Sequence, residues 1–358
     1  EFRRVLFRSE QLLHASQDTL RVIGFETTDS GVHVRFNGIL DTRVLNLYDA
    51  AGAYGEPDIV VRKGTTALTG SLVMDADGQG FVWLRTTDWL NGGNYSVTLR
   101  GSAQGIVDLD GRQLDGDADG DYVHRFKVAA YSGAVLSVPE FARGPGQNAS
   151  PSGTSGQGFT IGLNKAQGVS DVEFDLDYNP ALLQVSDVRL AAGLPKGSTL
   201  SSDISRPGVI HVSLHLTAPL ADSVWHGLVF VKGTVPADAT YGAAHILHLS
   251  DMRLNGGATT VRGNDGLHVV AYLGDANGDR SLSQSDVDLL QRVLNGQDTG
   301  FAAYRLINPL HIADAKRDNT LSEADLSVIE SELAGNDQIE IPPIPNGMVQ
   351  ASQLTTVA

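Results

Sequence analysis

The chain contains 358 residues, carries a net charge of −16 at neutral pH and lacks cysteine. Its length suffices for two or three domains, and the absence of cysteine excludes disulfides and thiol chemistry. A strongly acidic surface argues against nucleic acid and anionic membranes as partners, and no apolar run is long enough to span a membrane. The 40 glycines and the short alternating runs of Val, Thr and Leu predict a mainly β fold with many turns.

Residues 1–9 stand apart from the rest of the chain. Their sequence, EFRRVLFRS, resembles the translation of a common sequencing-library adapter, so we interpret it as read-through rather than as part of a domain. An amphipathic basic helix is the rival interpretation. Because the chain also lacks a starting methionine and a signal peptide, we expect it to be an internal or C-terminal part of a larger protein.

Residues 19–130 contain seven short stretches in which apolar and polar side chains alternate. This pattern predicts an antiparallel β-sandwich. The stretches 38–41, 45–49 and 70–73 resemble those of the Ig-like repeats of large bacterial surface proteins. The resemblance implies an Ig-like sandwich and an extracellular or cell-surface location.

An acidic turn over 108–121 contains six aspartates, which repel one another unless a cation lies between them. Asp115, Asp117 and Asp119 have the spacing of the first half of a calcium-binding loop, but Phe126 occupies the position of the closing carboxylate. A bound calcium ion and a solvated acidic hairpin are both compatible with this turn.

Alternation resumes over 135–272 and predicts a second all-β domain. Within it, the stretch 171–178 places every second side chain on a buried face and leaves an outward acidic stripe. The stripe consists of Asp171, Glu173, Asp175 and Asp177. A solvated surface is the simplest explanation for such a stripe.

The stretch 168–185 resembles the central strand and turn of cohesin domains, through Tyr178-Asn179-Pro180 and the Leu-Gln-Val that follows at 183–185. Asn179 stands where that family usually has Asp. The resemblance covers roughly 135–272 and implies a cohesin-like jelly-roll sandwich, which binds dockerin domains through an exposed sheet face. It would give Asp171 and Glu173 a role in binding that partner. Carbohydrate-binding modules share the architecture, so carbohydrate stays open as a ligand.

A twelve-residue pattern occurs twice, at 275–286 (loop one) and 314–325 (loop two), and each copy precedes a run with the period of an apolar helix. Oxygen-bearing side chains occupy most of positions 1, 3, 5, 7, 9 and 12, an arrangement that wraps a calcium ion. Asp286 and Asp325 occupy position 12, where the start of a helix can hold a closing carboxylate. The sequence therefore predicts two calcium sites.

Two such loops, each closed by Asp and followed by one helix, resemble the dockerin family over 273–336. The resemblance implies a small α-helical domain of paired calcium loops. It also implies the ligands of each ion. In loop one they are the side chains of Asp275, Asn277, Asp279 and Asp286 with the Ser281 carbonyl, and in loop two the side chains of Asp314, Asp318 and Asp325 with the Thr320 carbonyl.

Each loop departs from the pattern at a different place. Position 6, usually a glycine in a left-handed turn, is Arg280 in loop one and Asn319 in loop two. Asn tolerates that conformation, whereas Arg is strained by roughly 1 kcal/mol. Lys316 occupies position 3 of loop two, where an ammonium cannot coordinate a cation. We expect loop one to bind calcium more tightly, because a missing ligand weakens binding more than a strained turn.

No hydrolase, nucleotide-binding or zinc-protease motif occurs, so we expect a non-catalytic segment. Calcium is expected to drive the folding of 273–336. Because almost no linker separates the cohesin-like and dockerin-like parts, we expect them to dock within one chain.

Two alternatives stay open. The two parts could instead bind other chains, or the region could carry carbohydrate-binding modules of a polysaccharide-degrading enzyme whose catalytic domain lies outside this chain. Trp83, Trp89 and Trp225 form no obvious sugar-stacking row, and core packing is the simpler explanation for them. The proline-rich tail at 337–358 is expected to be a linker or a strap on the dockerin-like part, with disorder towards its end.

Overall fold

The computed structural model describes residues 19–116, 120–151, 153, 156 and 158–345. These residues are mainly β, which confirms the predicted fold class at that level. None of the described helices is long and apolar enough to cross a membrane.

Two four-stranded antiparallel sheets face each other in the N-terminal part of the chain. Their strands are β1 (Val22–Thr27), β2 (Gly31–Phe36), β3 (Ile59–Lys63), β4 (Thr66–Ala67), β5 (Gly70–Met74), β6 (Gly80–Arg85), β7 (Gly93–Leu99) and β8 (Tyr122–Val128). One sheet has the order β1-β2-β6-β5 and the other β4-β3-β7-β8. Phe36, Phe81, Trp83 and Leu99 are buried between them, because alternate side chains of each strand point to the same face. We call this unit the first sandwich.

A second, larger sandwich follows. Its strands are β9 (Ala134–Ser137), β10 (Phe141–Ala142), β11 (Gly158–Asn164), β12 (Asp171–Asp177), β13 (Gln184–Leu190), β14 (Thr199–Asp203), β15 (Val209–His215), β16 (His226–Thr234), β17 (Ala244–Leu254), β18 (Val261–Asn264) and β19 (Gly266–Val269). A five-stranded sheet has the order β13-β16-β11-β9-β18, and a six-stranded sheet has the order β10-β19-β17-β12-β15-β14.

The alternation predicted for β12 is confirmed. Val172, Phe174 and Leu176 are fully buried between the two sheets, while the four acidic residues of the strand are only half-buried. Burying each of these apolar side chains stabilises the fold by about 1.5–3 kcal/mol. Trp225 contradicts the core interpretation of the tryptophans, since 54% of it is exposed, whereas Trp83 is buried as expected.

The described C-terminal residues form three α-helices, α1 (Gln284–Leu294), α2 (Pro309–Ala313) and α3 (Glu323–Leu333), and a short 3-10 helix at Ala302–Tyr304. Both long helices begin with a capping box, in which a Ser at the N-cap and an Asp at the third helical position exchange hydrogen bonds. Leu290 of α1 and Ile329 of α3 belong to one buried cluster, which also takes in Leu267 and Val269 of β19. The helical part thus shares a core with the second sandwich.

The segment between loop one and loop two lies against the first sandwich. The backbone N–H groups of Leu47 and Tyr48 donate to the Arg305 carbonyl at 2.9 and 3.1 Å, and that of Leu72 donates to the Leu306 carbonyl at 2.8 Å. The Asp298 carboxylate accepts a hydrogen bond from the Ala51 backbone at 2.8 Å. The C-terminal part therefore contacts both sandwiches.

The start of the proline-rich tail, 337–345, lies as a strap between the second sandwich and loop two. Ile341 is buried, and the Gln147 amide donates to the carbonyls of Pro342 and Pro343 at 3.0 and 3.1 Å. These contacts hold residues 337–345 in place, so this segment is a strap and not a flexible linker. The remaining tail, 346–358, and the adapter-like segment 1–9 lie outside the described residues.

Candidate calcium loops and the acidic sheet face

Loop one folds around two buried carboxylates, those of Asp275 and Asp286. The Asp275 carboxylate accepts backbone hydrogen bonds from Gly278 at 2.8 Å, Asp279 at 3.2 Å and Arg280 at 2.8 Å. The Asp286 carboxylate accepts from the backbone of Asn277 at 3.0 Å and of Ser283 at 2.9 Å. Because the capping box turns Asp286 back over the loop, position 12 lies beside position 3, as a closing carboxylate requires.

Loop two repeats most of these backbone hydrogen bonds at the same positions. Asp314 accepts from the backbone of Asp318 at 3.2 Å and of Asn319 at 2.9 Å. Asp325 accepts from the backbone of Lys316 and of Ser322, both at 2.9 Å. The two loops are thus the same local structure in two copies, as the repeated pattern predicts.

The left-handed turn expected at position 6 is present in both loops. Arg280 has φ 68° and Asn319 has φ 64°. Position 4 also lies in the left-handed region, with φ 75° at Gly278 and 59° at Arg317. Arg317 is a second strained residue. The sequence did not predict it, because the calcium-loop pattern does not specify a glycine at position 4.

Among the described residues, no Lys, Arg or His side chain lies within ion-pair distance of the loop carboxylates, although Arg317 acts electrostatically on Asp314 over a longer range. Burial, and then repulsion from Asp286 and Asp279, raises the pKa of Asp275 to about 6. Burial also raises the pKa of Asp286 and of Asp314. The guanidinium of Arg280, at position 6 of loop one, lies 5.1 Å from the centre of the Tyr241 ring.

Hard oxygen donors with an unbalanced negative charge fit Ca²⁺. Among the described residues, however, no three His, Asp or Glu side chains already converge as a metal cage. The loop carboxylates instead accept hydrogen bonds from their own backbone. The donor chemistry of the loops therefore fits the ion, and calcium binding itself stays a prediction.

Lys316 points away from the centre of loop two. Its ammonium lies 3.7 Å from the Glu340 carboxylate of the strap, and its side chain is 42% exposed. Position 3 of loop two thus contributes only its backbone N–H, so the predicted inequality of the two loops rests on a missing ligand rather than on an inward-pointing charge.

Tyr241, in the turn before β17, reaches loop one from the second sandwich. Its hydroxyl donates to the Asp275 carboxylate and accepts from the Tyr272 backbone N–H at 2.9 Å. No local pattern in the sequence indicates this contact, because Tyr241 lies far from loop one along the chain.

The predicted acidic face of β12 is exposed and carries histidines from the neighbouring strand β15. Asp171 bonds His215 Nδ1 at 2.7 Å and Asp175 bonds His211 Nδ1 at 2.6 Å. These pairs follow from the antiparallel register, which sets the two residues of each pair opposite each other. Glu173 lies 3.8 Å from Arg253.

The C-terminal part does not cover this face. Within the described residues, the hydrogen bonds and ion pairs of Asp171 and Glu173 all stay inside the second sandwich. The helical part instead shares its core with β10 and β19, at the opposite edge of the same sheet. The helical part and its two loops thus lie next to both sandwiches. The predicted partner-binding residues Asp171 and Glu173 lie away from the loops.

The acidic turn at 108–121 is described only in part, since Asp117 and Asp119 lie outside the described residues. Asp115 pairs with Arg21 at 3.1 Å, and Asp108 pairs with Arg112 at 2.6 Å. Arg21, distant in sequence, therefore offsets part of the charge. A third calcium site in this turn stays a prediction.

No protein-family model matches the chain, and no curated protein matches it. Part of the chain is similar to solved cohesin structures. One is a non-cellulosomal cohesin from the archaeon Archaeoglobus fulgidus, with 18% identity and a TM-score of 0.31 over 38% of this chain and 90% of that one. Another is the seventh ScaB type I cohesin of Pseudobacteroides cellulosolvens, with 14% identity and a TM-score of 0.32 over 38% of this chain and 92% of that one. A third comes from a type I cohesin–dockerin complex of Clostridium thermocellum, with 9% identity and a TM-score of 0.32 over 39% of this chain and 96% of that one.

Proposed function

We propose that this chain is a non-catalytic, calcium-dependent protein–protein interaction segment of a large secreted or cell-surface bacterial protein. The observation that carries the proposal is the pair of loops with matching backbone hydrogen bonds, whose buried carboxylates form no ion pair with a cationic side chain among the described residues. The loops flank the segment that contacts the first sandwich, and their helices share a core with the second.

Calcium would supply the positive charge that these carboxylates lack. In loop one Asp275, Asn277, Asp279 and Asp286 would hold it with the Ser281 carbonyl, and in loop two Asp314, Asp318 and Asp325 with the Thr320 carbonyl. The chain's own contribution is to orient the carboxylates: the capping boxes hold position 12, and the Tyr241 hydroxyl holds Asp275.

The helical part would act as a clasp between the sandwiches. Its buried cluster joins β19 to the helices, and the segment at 298–308 bonds the first sandwich through the backbone groups of Leu47, Tyr48 and Leu72. Neutralising the loop carboxylates stabilises the helical part and, through it, this arrangement. In this proposal, docking within one chain takes place at the β10–β19 edge of the second sandwich.

The outer face of β12 and β15 would then bind a protein partner in trans. Asp171 and Glu173 are exposed there at 50% and 42% of their side chains, and the histidines beside them add hydrogen-bonding groups. A dockerin-type domain is the partner we propose, on the strength of the cohesin-like strand and turn at 168–185.

Calorimetric titration of the full chain with calcium tests the calcium part of the proposal. We expect saturable binding, which Asp275→Asn weakens and Asp288→Asn leaves unchanged. Asp288 is an exposed residue of α1 outside the loop and receives the same chemical change. Absence of binding at millimolar calcium would refute it.

Surface-immobilised full chain, probed with an isolated dockerin domain in calcium, tests the partner face. We expect Glu173→Lys to weaken binding and Glu26→Lys, at an exposed position on the first sandwich, to leave it unchanged. Equal binding by the two variants would show that the partner does not bind this face.

A further inference from the structure

A cavity of about 270 Å³ lies where the second sandwich, the helical part and loop two meet. Its apolar wall includes Phe141, Leu273 and Leu310. Its polar lining comes from all three parts and from the edge of the first sandwich: Thr87, Glu140, Arg143, Asn264, His311, Asp314, Arg317 and Asn319. This volume lies just below the range of about 300–1,000 Å³ that is typical of small-molecule sites.

Arg143 is the least satisfied group in this lining. The residue is 1% exposed, and its Nη1 donates to the Ala142 carbonyl at 2.6 Å. Its Nε and Nη2 have no hydrogen-bond partner among the described residues. A guanidinium carries five N–H donors, and a buried charge without a partner strongly destabilises a fold. Buried polar groups in native proteins almost always have a hydrogen-bond partner, so we expect the Arg143 guanidinium to bind one.

A second guanidinium, that of Arg317, lies on the same wall. It donates to the Glu340 carbonyl at 2.5 Å. Burial, and then repulsion from Arg317, lowers the pKa of Arg143 to about 9, so the Arg143 guanidinium stays charged at neutral pH. The His311 Nε2 is also buried without a hydrogen-bond partner. Two cations and an imidazole thus line one small space.

The acidic groups of the lining leave the charge of Arg143 uncompensated, although Asp314 acts electrostatically on Arg317. Glu140 accepts a hydrogen bond from the Thr87 backbone at 3.0 Å, and burial raises its pKa to about 8, which leaves it largely uncharged at pH 7. Asp314 accepts hydrogen bonds from the backbone of its own loop. No ion pair within the described residues joins either carboxylate to Arg143.

We propose that this cavity binds a small oxyanion, held by the guanidinium of Arg143 with support from Arg317. Two parallel N–H groups of a guanidinium match two oxygens of a carboxylate, sulfate or phosphate, which a point cation does not. The apolar wall accommodates the carbon end of a short carboxylic acid. The site adjoins loop two, which supplies Asp314, Arg317 and Asn319 to its lining, but the proposal does not require calcium to be bound there.

The test uses the full chain in buffered calcium chloride at constant ionic strength, titrated with sulfate, acetate or butyrate in a calorimeter. We expect saturable binding of at least one of them by the unmodified protein. Arg143→Met keeps the length of the side chain and removes the charge, and we expect it to weaken binding roughly tenfold or more. Arg206→Met, an exposed arginine remote from the cavity lining, is the matched control and should bind as before.

Two further readouts keep the proposal falsifiable. Without an oxyanion, Arg143→Met should unfold at the same temperature as the unmodified protein or higher, because it removes a buried unpaired charge. Arg317→Met, which alters a half-buried residue, should also weaken binding. Sulfate binding alone identifies a tetrahedral anion, and binding of butyrate over acetate identifies an organic acid. Absence of saturable binding by all three anions, or binding that Arg143→Met and Arg317→Met leave unchanged, overturns the proposal.

Discussion

Replacing Asp275 by Asn is the sharpest test of calcium function in loop one. The side chain is fully buried, one carboxylate oxygen accepts from the backbone of Gly278 and Asp279, and the other accepts from the backbone of Arg280 and from the Tyr241 hydroxyl. An amide places an NH₂ group against one of these pairs of donors. Turned towards Gly278 and Asp279 it loses two hydrogen bonds, and turned the other way it loses at least that of Arg280, since the Tyr241 hydroxyl can also accept.

Two effects oppose each other in the calcium-free protein. The lost hydrogen bonds leave buried donors unsatisfied, at about 1–3 kcal/mol each. The substitution also removes a buried negative charge that repels Asp286 and Asp279, the repulsion that contributes to the raised pKa of Asp275. With calcium bound, removing the charge of Asp275 becomes unfavourable, because the carboxylate is then a ligand of the ion.

The magnitude follows from linkage. At a free calcium concentration about 100 times the Kd, one site stabilises the folded state by about 2.7 kcal/mol. Asp275→Asn should therefore remove about that amount of the calcium-induced stabilisation and leave the contribution of loop two. The assay is chemical denaturation of the full chain with and without calcium, together with calorimetric counting of sites.

Asp288→Asn is the control, since its carboxylate is exposed on α1 and only accepts from Gln284. Equal calcium-induced stabilisation of the unmodified protein and Asp275→Asn would refute the reasoning. So would a loss of the same size in Asp288→Asn.

Three further predictions concern the loops and the buried histidines. Lys316→Asn should tighten calcium binding at the weaker site in a two-site titration, because it adds a ligand oxygen and loses only an exposed ion pair worth about 0–1 kcal/mol; an unchanged weaker site would contradict the role given to position 3. Tyr241→Phe should weaken loop one by about 10-fold, as for the loss of a group that orients a ligand, and Tyr131→Phe, which loses hydrogen bonds remote from the loops, should leave the titration unchanged; equal effects would show general destabilisation. Burial lowers the pKa of His245 from 6.5 to about 4, so the folded state binds fewer protons than the unfolded state in that window and stability falls by up to about 3 kcal/mol as pH falls through it. His268, hydrogen-bonded to His245 at 2.9 Å and with its pKa also lowered by burial, adds to the loss. Denaturation at constant calcium over pH 6.5 to 4 measures the slope, which His245→Gln should reduce, and an equal slope in that variant would contradict this assignment.

The candidate site was predictable where its geometry is local. The spacing of Asp275, Asp286 and their counterparts determines the loops, because each carboxylate bonds backbone groups fewer than a dozen positions away. The same holds for β12, where alternation alone places Asp171 and Glu173 outward. The left-handed turn at Arg280 was also predictable, since the loop closes only with that conformation.

Other features have no local signature. The pairing of Lys316 with Glu340 requires the strap to lie against loop two. The burial of Arg143 requires the second sandwich and the helical part to close over it. Neither residue differs in its sequence neighbourhood from an ordinary surface cation, so charge alone could not distinguish them.

The sequence by itself determined the strand faces, the helix starts and the two calcium-type loops, because side-chain alternation and capping act between residues a few positions apart. Only the tertiary structure decided that the helical part packs on the β10–β19 edge and the first sandwich, that Tyr241 reaches Asp275, and that β12 keeps its acidic face exposed. Those outcomes depend on the complementarity of surfaces formed by residues up to hundreds of positions apart, which no short pattern encodes.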